Sequence, residues 1–229
     1  MPNIIFAAVD GTGADDNAEY AAAMANSFVN NVYHRCRASG TDKYYHRGPT
    51  LLGMETGPQG AAAARFVVQR RGNVTDPKVV LSGYSRGGAA VITAAQILGV
   101  QGITVDVLVL FDAVDRSITA MAGIIPPNVS TVYHVRRSPW AMSRPYFGNC
   151  GTSCVPLVTT YSESFFNATH GGVGGCPWWN QPGRAATTLL SDRIYEDGVP
   201  TRVTYEQDLD GSRAAWNWVA PFLSTEGIL

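Results

Sequence analysis

The chain has 229 residues, of which 45% are hydrophobic and 15% charged, and its formal net charge is −1. A chain of this length can bury roughly 70% of its unfolded surface in one domain, and we predict a single domain over residues 1–229. The small net charge argues against nucleic-acid binding, which needs a basic face to neutralise phosphates. No apolar run approaches the roughly 18 residues that span a bilayer, although contact with a membrane surface is compatible with this composition.

Residues 1–4 lack the basic and apolar regions of a signal peptide, which predicts a cytoplasmic protein or one exported by a non-classical route. Three of the four cysteines (Cys36, Cys150, Cys154 and Cys176) lie in one irregular region. They are compatible with a disulfide, a cysteine-rich metal site or buried thiols. Zinc is disfavoured because the C-x3-C spacing departs from a C-x2-C knuckle and no histidine lies at ligand spacing. We predict no metal and no cofactor.

In chain order, the apolar pattern first predicts a strand at 3–9, a helix from Asp15 or Asp16 through Asn30, a short strand at 43–46, a helix at 60–71 and a strand at 78–82. It then predicts a helix at 88–98 ended by Gly99, strands at 103–111, 129–135 and 161–166, and a final helix at 211–222. Because strands alternate with helices, the fold class is α/β, with a doubly wound, mostly parallel sheet flanked by helices.

Two stretches interrupt this alternation, at 136–156 and 171–182, and both are rich in Gly, Pro and aromatic residues. Long loops in an α/β domain commonly line the ligand site at the carboxyl ends of the strands. We expect these loops to cover a pocket lined by Trp140, Tyr146, Phe147 and Trp178. A structural patch or a dimer contact is the alternative.

The most informative motif is residues 83–87, G-Y-S-R-G, which follows an apolar strand and opens an alanine-rich helix. Strand, G-x-S-x-G and helix together are typical of a nucleophile elbow, in which a sharp turn exposes the serine hydroxyl. The glycines permit the turn. We therefore predict that Ser85 is the nucleophile of a serine hydrolase.

A serine hydroxyl reacts only when a histidine removes its proton and an acid orients that histidine. In α/β-hydrolases the acid follows the serine along the chain at the end of a strand. Asp112 is the first residue after the next strand and is the predicted acid. Asp115 is instead predicted to cap a helix from Arg116 to Ala122.

Of the four histidines, His170 is the predicted base, because it follows a candidate strand and precedes glycines that allow close approach. His134 lies within a strand, where a packed or hydrogen-bonded role is expected. His46 closes a short strand and is a candidate for either the substrate site or solvent. His34 ends a helix, where a cation suits the dipole.

The tetrahedral intermediate of acyl transfer needs two hydrogen-bond donors. We predict the backbone N–H of Arg86 as one, and that of Gly11 or Thr12, after the first strand, as the other. A plain glycine turn is the alternative for the second. Since the helix dipole disfavours a cation at the N-terminus of a helix, we expect the Arg86 guanidinium to pair with Asp10.

These motifs resemble those of the α/β-hydrolase family of type VI secretion lipase effectors and related bacterial hydrolases. The matching segments are 9–13 (V-D-G-T-G), 43–57, 83–88 (G-Y-S-R-G-G), 110–112 (L-F-D) and 169–175 (T-H-G-G-V-G-G). The resemblance implies an α/β-hydrolase-like fold, a Ser85–Asp112–His170 triad and carboxyl-ester hydrolysis of a small-molecule or lipid ester. Gly171 and Gly172 replace the family's S-D after the histidine, and the chain is shorter, so an esterase is favoured over a phospholipase.

Three alternatives remain at this point. A cutinase-like hydrolase of polyesters or lipid esters also fits a G-Y-S-x-G elbow on a small domain. A haloacid-dehalogenase-type phosphatase is disfavoured, because Ala8 stands where its D-x-D-G-T motif has the nucleophilic aspartate. A hydrolase fold that serves only for binding is disfavoured, because every catalytic position is chemically competent.

Overall fold

The computed structural model describes residues 3–116, 120, 122–178, 193–196 and 199–229. The strands are β1 Ile4–Val9, β2 Lys43–His46, β3 Lys78–Tyr84, β4 Val105–Phe111, β5 Val129–Arg137, β6 Thr160–Phe166, β7 Arg193–Glu196 and β8 Val199–Thr204. The helices are α1 Asn17–Met24, α2 Phe28–Arg35, α3 Thr56–Arg71, α4 Arg86–Val100, α5 His170–Val173 and α6 Tyr205–Thr225. Short 3-10 turns lie at Gly40–Asp42 and Pro139–Ala141.

Six strands form one parallel sheet in the order β2-β1-β3-β4-β5-β6, and β7 pairs with β8 as an antiparallel hairpin. The strand order reverses beside β1, which has β2 on one side and β3 on the other. In doubly wound sheets, ligands bind at the carboxyl ends of the strands next to such a reversal. The prediction of an α/β fold, with a doubly wound, mostly parallel sheet flanked by helices, is confirmed.

Alternate residues of β1 enter two hydrophobic clusters, one on each face of the sheet. Ile5, Ala7 and Val9 pack with α3 and α4, whereas the other three β1 residues pack with α2 and α6. Side chains of a strand point alternately to the two faces. An uninterrupted apolar run is therefore what a strand covered on both sides requires.

The helix predicted through Asn30 is wrong as a single element, because two helices replace it. Asp16 caps α1, its Oδ1 accepting hydrogen bonds from the N–H groups of Ala18 and Glu19 at 2.9 Å. Ser27 then caps α2, with its Oγ accepting from the Asn30 N–H at 3.0 Å. A serine that satisfies the first N–H groups of a new helix favours a boundary there.

The helix predicted from Arg116 to Ala122 is also corrected, since the described residues 115, 116, 120 and 122 are not helical. Asp115 instead accepts a hydrogen bond from the Ala122 N–H at 3.2 Å, which closes a loop. The irregular stretch predicted at 136–156 begins inside β5. The stretch at 171–182 begins inside α5, and its residues 179–182 lie outside the described part of the chain.

Candidate active site

Ser85 joins the end of β3 to the start of α4 in a backbone conformation that L-residues rarely adopt, with φ 55° and ψ −126°. Its N–H donates to the Phe111 carbonyl at 3.0 Å, and its carbonyl accepts from the Gly88 and Val114 N–H groups at 3.0 Å. Strain of this kind persists only where surrounding contacts hold it. The turn therefore presents the serine at the carboxyl edge of the sheet.

Two glycines leave the space that this turn needs. A Cβ at Gly87 would collide with the carbonyl oxygens of Val9 and Asp10, and one at Gly83 would collide with the Gly87 carbonyl. The elbow thus packs directly against the backbone of β1. This close approach explains the glycines on both sides of the serine.

His170 lies between Ser85 and Asp112. Its Nε2 is 2.9 Å from the Ser85 Oγ, and its Nδ1 is 2.6 Å from the Asp112 Oδ2. All three side chains are buried. Tyr84 and Phe147 contact the imidazole, with ring centroids 5.1 and 5.8 Å away. The structure thus brings together the three residues that the sequence motifs single out.

Asp112 follows β4 directly, and four hydrogen bonds reach its carboxylate. Besides His170, Arg137 donates from Nη1 to Oδ2 at 2.5 Å and from its backbone N–H to Oδ1 at 3.3 Å, while Asn149 donates to Oδ1 at 2.7 Å. Burial alone would raise the pKa of Asp112. The hydrogen bond with His170 and the charge of Arg137 hold that pKa well below its ordinary value.

The surroundings of His170 favour the neutral form of its imidazole. Burial lowers the pKa of His170, the hydrogen bond and charge of Asp112 partly offset this, and the charges of Arg137 and Arg144 lower it further. A neutral ring with the proton on Nδ1 would leave Nε2 free to accept the hydroxyl proton of Ser85.

Sequence reasoning missed Arg137 and Asn149. Arg137 is the last residue of β5, and its guanidinium donates to Asp112 and to the carbonyls of Ser143, Arg144 and Phe147. It links the acid to the loop beside the cavity. The parallel β4–β5 register would place the end of β5 near Asp112, but no motif marks the residue.

Sequence reasoning also missed the residues that hold the His170 segment. The buried carboxylate of Asp208, on α6, accepts from the Thr169 N–H at 2.7 Å, from its Oγ1 at 2.8 Å and from the Trp178 N–H at 2.8 Å. The Ser143 Oγ accepts from the His170 N–H at 2.7 Å. Both contacts join segments far apart in sequence.

The other histidines lie outside the described lining of the cavity above Ser85. His134 is buried in β5, where its Nε2 accepts from the Ala113 N–H at 3.3 Å and its Nδ1 lies 3.0 Å from the Tyr161 hydroxyl. This is the hydrogen-bonded role expected from its strand. His46 closes β2 with its Nδ1 2.5 Å from the Arg47 carbonyl, and His34 lies in the last turn of α2.

A cavity of about 590 Å³ opens above Ser85 and His170. Of the four aromatic residues predicted to line a pocket, Phe147 and Trp178 are among its described lining residues. Trp140 and Tyr146 are not, and the prediction for these two is corrected: their side chains are 73% and 86% exposed. The described lining also includes residues of α1, β3, α4, α5 and β7 and of the loops that follow β1, β2, β4, β5 and α5: Thr12, Gly13, Ala14, Ala23, Met24, Leu51, Tyr84, Arg86, Val114, Arg116, Arg144, Gly171, Cys176 and Glu196.

Two residues after β1, Gly11 and Thr12, were candidates for the second oxyanion donor, and the prediction for Gly11 is corrected. Its N–H donates to the Asp10 Oδ1 at 2.8 Å and is therefore engaged. Thr12 lines the cavity beside Ser85 and Arg86. Within the described residues, no acceptor is seen for the backbone N–H of Thr12 or of Arg86.

The predicted pairing of Arg86 with Asp10 is wrong. The guanidinium donates from Nη1 to the Leu51 carbonyl at 3.0 Å and to the Thr12 Oγ1 at 3.2 Å. Asp10 is buried and accepts from the hydroxyls of Ser27 and Tyr45 as well as from its neighbour's N–H. Burial raises the pKa of Asp10 to about 6.

All four cysteines lie in the described part of the chain, and none takes part in a disulfide. Among the described residues no group of three His, Cys, Asp or Glu side chains is placed to hold a metal ion. No described helix is both long and apolar enough to cross a bilayer.

No protein-family model matches the chain, and no curated protein matches it. Solved structures show partial similarity. An uncharacterised protein from Pseudomonas aeruginosa aligns with a TM-score of 0.44 at 12% identity, covering 76% of this chain and 42% of that chain. The Tle1 effector bound to the VgrG spike of the type 6 secretion system aligns with a TM-score of 0.47 at 14% identity, covering 76% and 51%.

A YdeN-like hydrolase from Pectobacterium atrosepticum aligns with a TM-score of 0.42 at 13% identity, covering 77% of this chain and 85% of that chain. The chain spans about half of the length of the first two structures. At these identities and scores the likeness concerns the fold alone.

Proposed function

We propose that this protein is a serine hydrolase that cleaves carboxyl esters through an acyl-enzyme intermediate, with Ser85 as nucleophile, His170 as base and Asp112 as the orienting acid. The observation that carries the proposal is the chain of contacts from the Ser85 Oγ through His170 to the Asp112 Oδ2, at 2.9 and 2.6 Å. The strained elbow, which places the serine at the wall of the cavity, supports it.

In the first step, the Ser85 oxygen would bond to the ester carbonyl carbon while the His170 Nε2 takes the hydroxyl proton. His170 then returns that proton to the departing alcohol, and the carbon–oxygen bond of the ester breaks. In the second step, a water molecule gives a proton to His170 and its oxygen bonds to the acyl carbon. The bond between that carbon and the Ser85 oxygen then breaks, His170 returns the proton to Ser85, and the acid is released. Asp112 stabilises the imidazolium in both steps.

The tetrahedral oxyanion would accept hydrogen bonds from the backbone N–H groups of Arg86 and Thr12, two residues that line the cavity together with Ser85. The cavity volume of about 590 Å³ is within the range of small-molecule sites. A small-molecule or lipid ester is therefore the proposed substrate class.

Covalent labelling tests this function directly. A fluorophosphonate probe should label the wild-type protein on Ser85 and should not label Ser85→Ala. A second control, Ser224→Ala, removes an exposed hydroxyl of α6 that donates to the Ala220 carbonyl, and this variant should label normally. If folded wild-type protein is not labelled, a non-catalytic role replaces the hydrolase proposal.

A panel of p-nitrophenyl esters of graded chain length, assayed beside a phospholipid, then defines the acyl preference. We expect turnover of short esters that Ser85→Ala reduces to the small residual rate of an enzyme without its nucleophile. Turnover of phospholipid or of long chains alone would favour the lipase-like alternatives.

A further inference from the structure

Three arginines line the cavity above Ser85. Arg86 comes from the start of α4, Arg116 from the loop after β4, and Arg144 from the loop after β5. Arg116 and Arg144 both lie over the ring of Phe147, with guanidinium carbons 4.5 and 5.1 Å from its centroid. One aromatic side chain thus positions two cations at the wall of the cavity.

Among the described residues that line the cavity, the carboxylates are fewer than these three cations. Glu196 is the acidic residue among the described lining, and it faces Arg144, with Oε1 3.8 Å from Nε. Within the described residues, neither Arg86 nor Arg116 forms an ion pair with a carboxylate. The carboxylate of Asp112 forms its ion pair with Arg137, which is not among the described residues that line the cavity.

The surroundings of Arg86 indicate that the three cations act on one another. Burial lowers the pKa of Arg86, and the charges of Arg116 and Arg144 lower it further, while Glu55 partly offsets them. Its Nε is buried without a hydrogen-bond partner. A cavity whose described lining carries excess positive charge favours an anionic ligand.

We propose that the ester substrate carries an anionic oxygen group, a carboxylate or a phosphate, that binds among the guanidinium groups of Arg86, Arg116 and Arg144 while Ser85 attacks the ester carbonyl. This inference rests on the proposed hydrolase function and narrows its substrate class. Planar guanidinium groups bind such oxygens through paired N–H donors. Phe147 keeps two of the three groups in place.

The kinetic test compares two p-nitrophenyl esters of equal length, the monoester of glutaric acid and the neutral valerate. At low ionic strength we expect kcat/KM to be about tenfold higher for the anionic ester, the effect of one good charged contact. The ratio should fall towards one in Arg116→Gln and in Arg144→Gln, and as salt is added. Arg213→Gln, on the exposed face of α6, should keep the wild-type ratio.

A binding test separates this inference from the catalytic proposal. In Ser85→Ala, calorimetry should detect binding of monomethyl glutarate or inorganic phosphate that Arg116→Gln weakens, whereas methyl valerate should bind less tightly. Tighter binding of phosphate than of glutarate would select a phosphate-bearing ester, and the reverse a carboxylate-bearing one.

The two proposals fail in different ways. Equal kcat/KM for both esters, with no change in either arginine variant, would overturn the anionic substrate while leaving the hydrolase intact. Arginine-dependent anion binding without ester turnover or fluorophosphonate labelling would support the anion site and overturn the hydrolase.

Discussion

The two oxygens of Asp112 have different partners. Oδ2 accepts from His170 and from Arg137, and Oδ1 accepts from Asn149 and from the Arg137 backbone. Arg137 therefore keeps the carboxylate ionised and at the same time lowers the pKa of His170. A single buried cation therefore lowers the pKa values of both the proposed acid and the proposed base.

Replacing Asp112 by Asn should reduce kcat of the proposed ester hydrolysis by about 10⁴-fold, because the amide can favour the wrong histidine tautomer. Asp115→Asn is the matched control, since Asp115 contacts the Ala122 N–H and not His170. Initial rates with a p-nitrophenyl ester measure both variants. A severe loss in Asp115→Asn and a mild one in Asp112→Asn would reassign the acid.

The pH profile follows from the pKa of His170, which lies below its ordinary value of 6.5. Only the neutral imidazole accepts a proton, so kcat/KM should rise with pH through a midpoint below 6.5 and stay level above it. Rates between pH 4 and 8, with enzyme stability checked at each pH, measure the midpoint. A midpoint above 6.5 would contradict the environment described for this histidine.

At the scale of elements, α4 and the elbow depend on contact between backbones. Gly87→Ala would place a methyl group against the carbonyl oxygens of Val9 and Asp10. We expect a loss of about 1–3 kcal/mol in the free energy of unfolding, measured by urea denaturation, together with loss of activity. Gly72→Ala, at the end of α3, has only the Gln69 carbonyl within 4 Å, at 3.9 Å, and should unfold near the wild-type midpoint.

Local pattern was sufficient to predict the strands of the sheet and the turn at Ser85, and it singled out Asp112 and His170, which the structure brings into contact with that serine. Each of these follows from a strand's end and a short motif. The break between α1 and α2 was missed because the hydrophobic spacing continues across Ser27, whose capping role decides the boundary. The boundary between α1 and α2 depends on the Ser27 hydroxyl, and the spacing of hydrophobic residues carries no information about it.

Positions fixed by contacts between distant segments could not be predicted. Arg86 was assigned to Asp10 because a cation at a helix N-terminus is expected to have an acidic partner, yet the hydroxyls of Ser27 and Tyr45 donate to that carboxylate. Exposure likewise separates Tyr146 from its neighbour Phe147, although both are aromatic. Only the folded arrangement determines which side chain of a loop turns inward.

For the whole molecule, the parallel sheet brings segments distant in sequence to one edge. Ser85 follows β3, Asp112 follows β4 and His170 lies beyond β6. The segment that contains His170 is also anchored by α6, because Asp208 on this helix accepts hydrogen bonds from Thr169 and Trp178. We therefore expect α6 to help position the His170 side chain relative to Ser85.

Asp208→Asn should lower kcat/KM by up to about 10²-fold, because its amide N–H groups would face the Trp178 N–H and displace the His170 segment. Asp210→Asn is the control, since Asp210 is exposed and pairs with Arg213. Ester hydrolysis and thermal unfolding should be measured on both. Wild-type kcat/KM in a folded Asp208→Asn protein would show that this anchor does not set the catalytic geometry.

Cys176 shares the cavity with Ser85, and burial raises the pKa of its thiol, as it does for Cys36 and Cys150. At neutral pH these sulfurs keep their protons, and a protonated sulfur is a poor attacking atom. We therefore expect electrophiles that enter the cavity to react with the Ser85 hydroxyl rather than with the Cys176 thiol. The preference for reaction at the Ser85 oxygen would then result from the burial of the Cys176 sulfur.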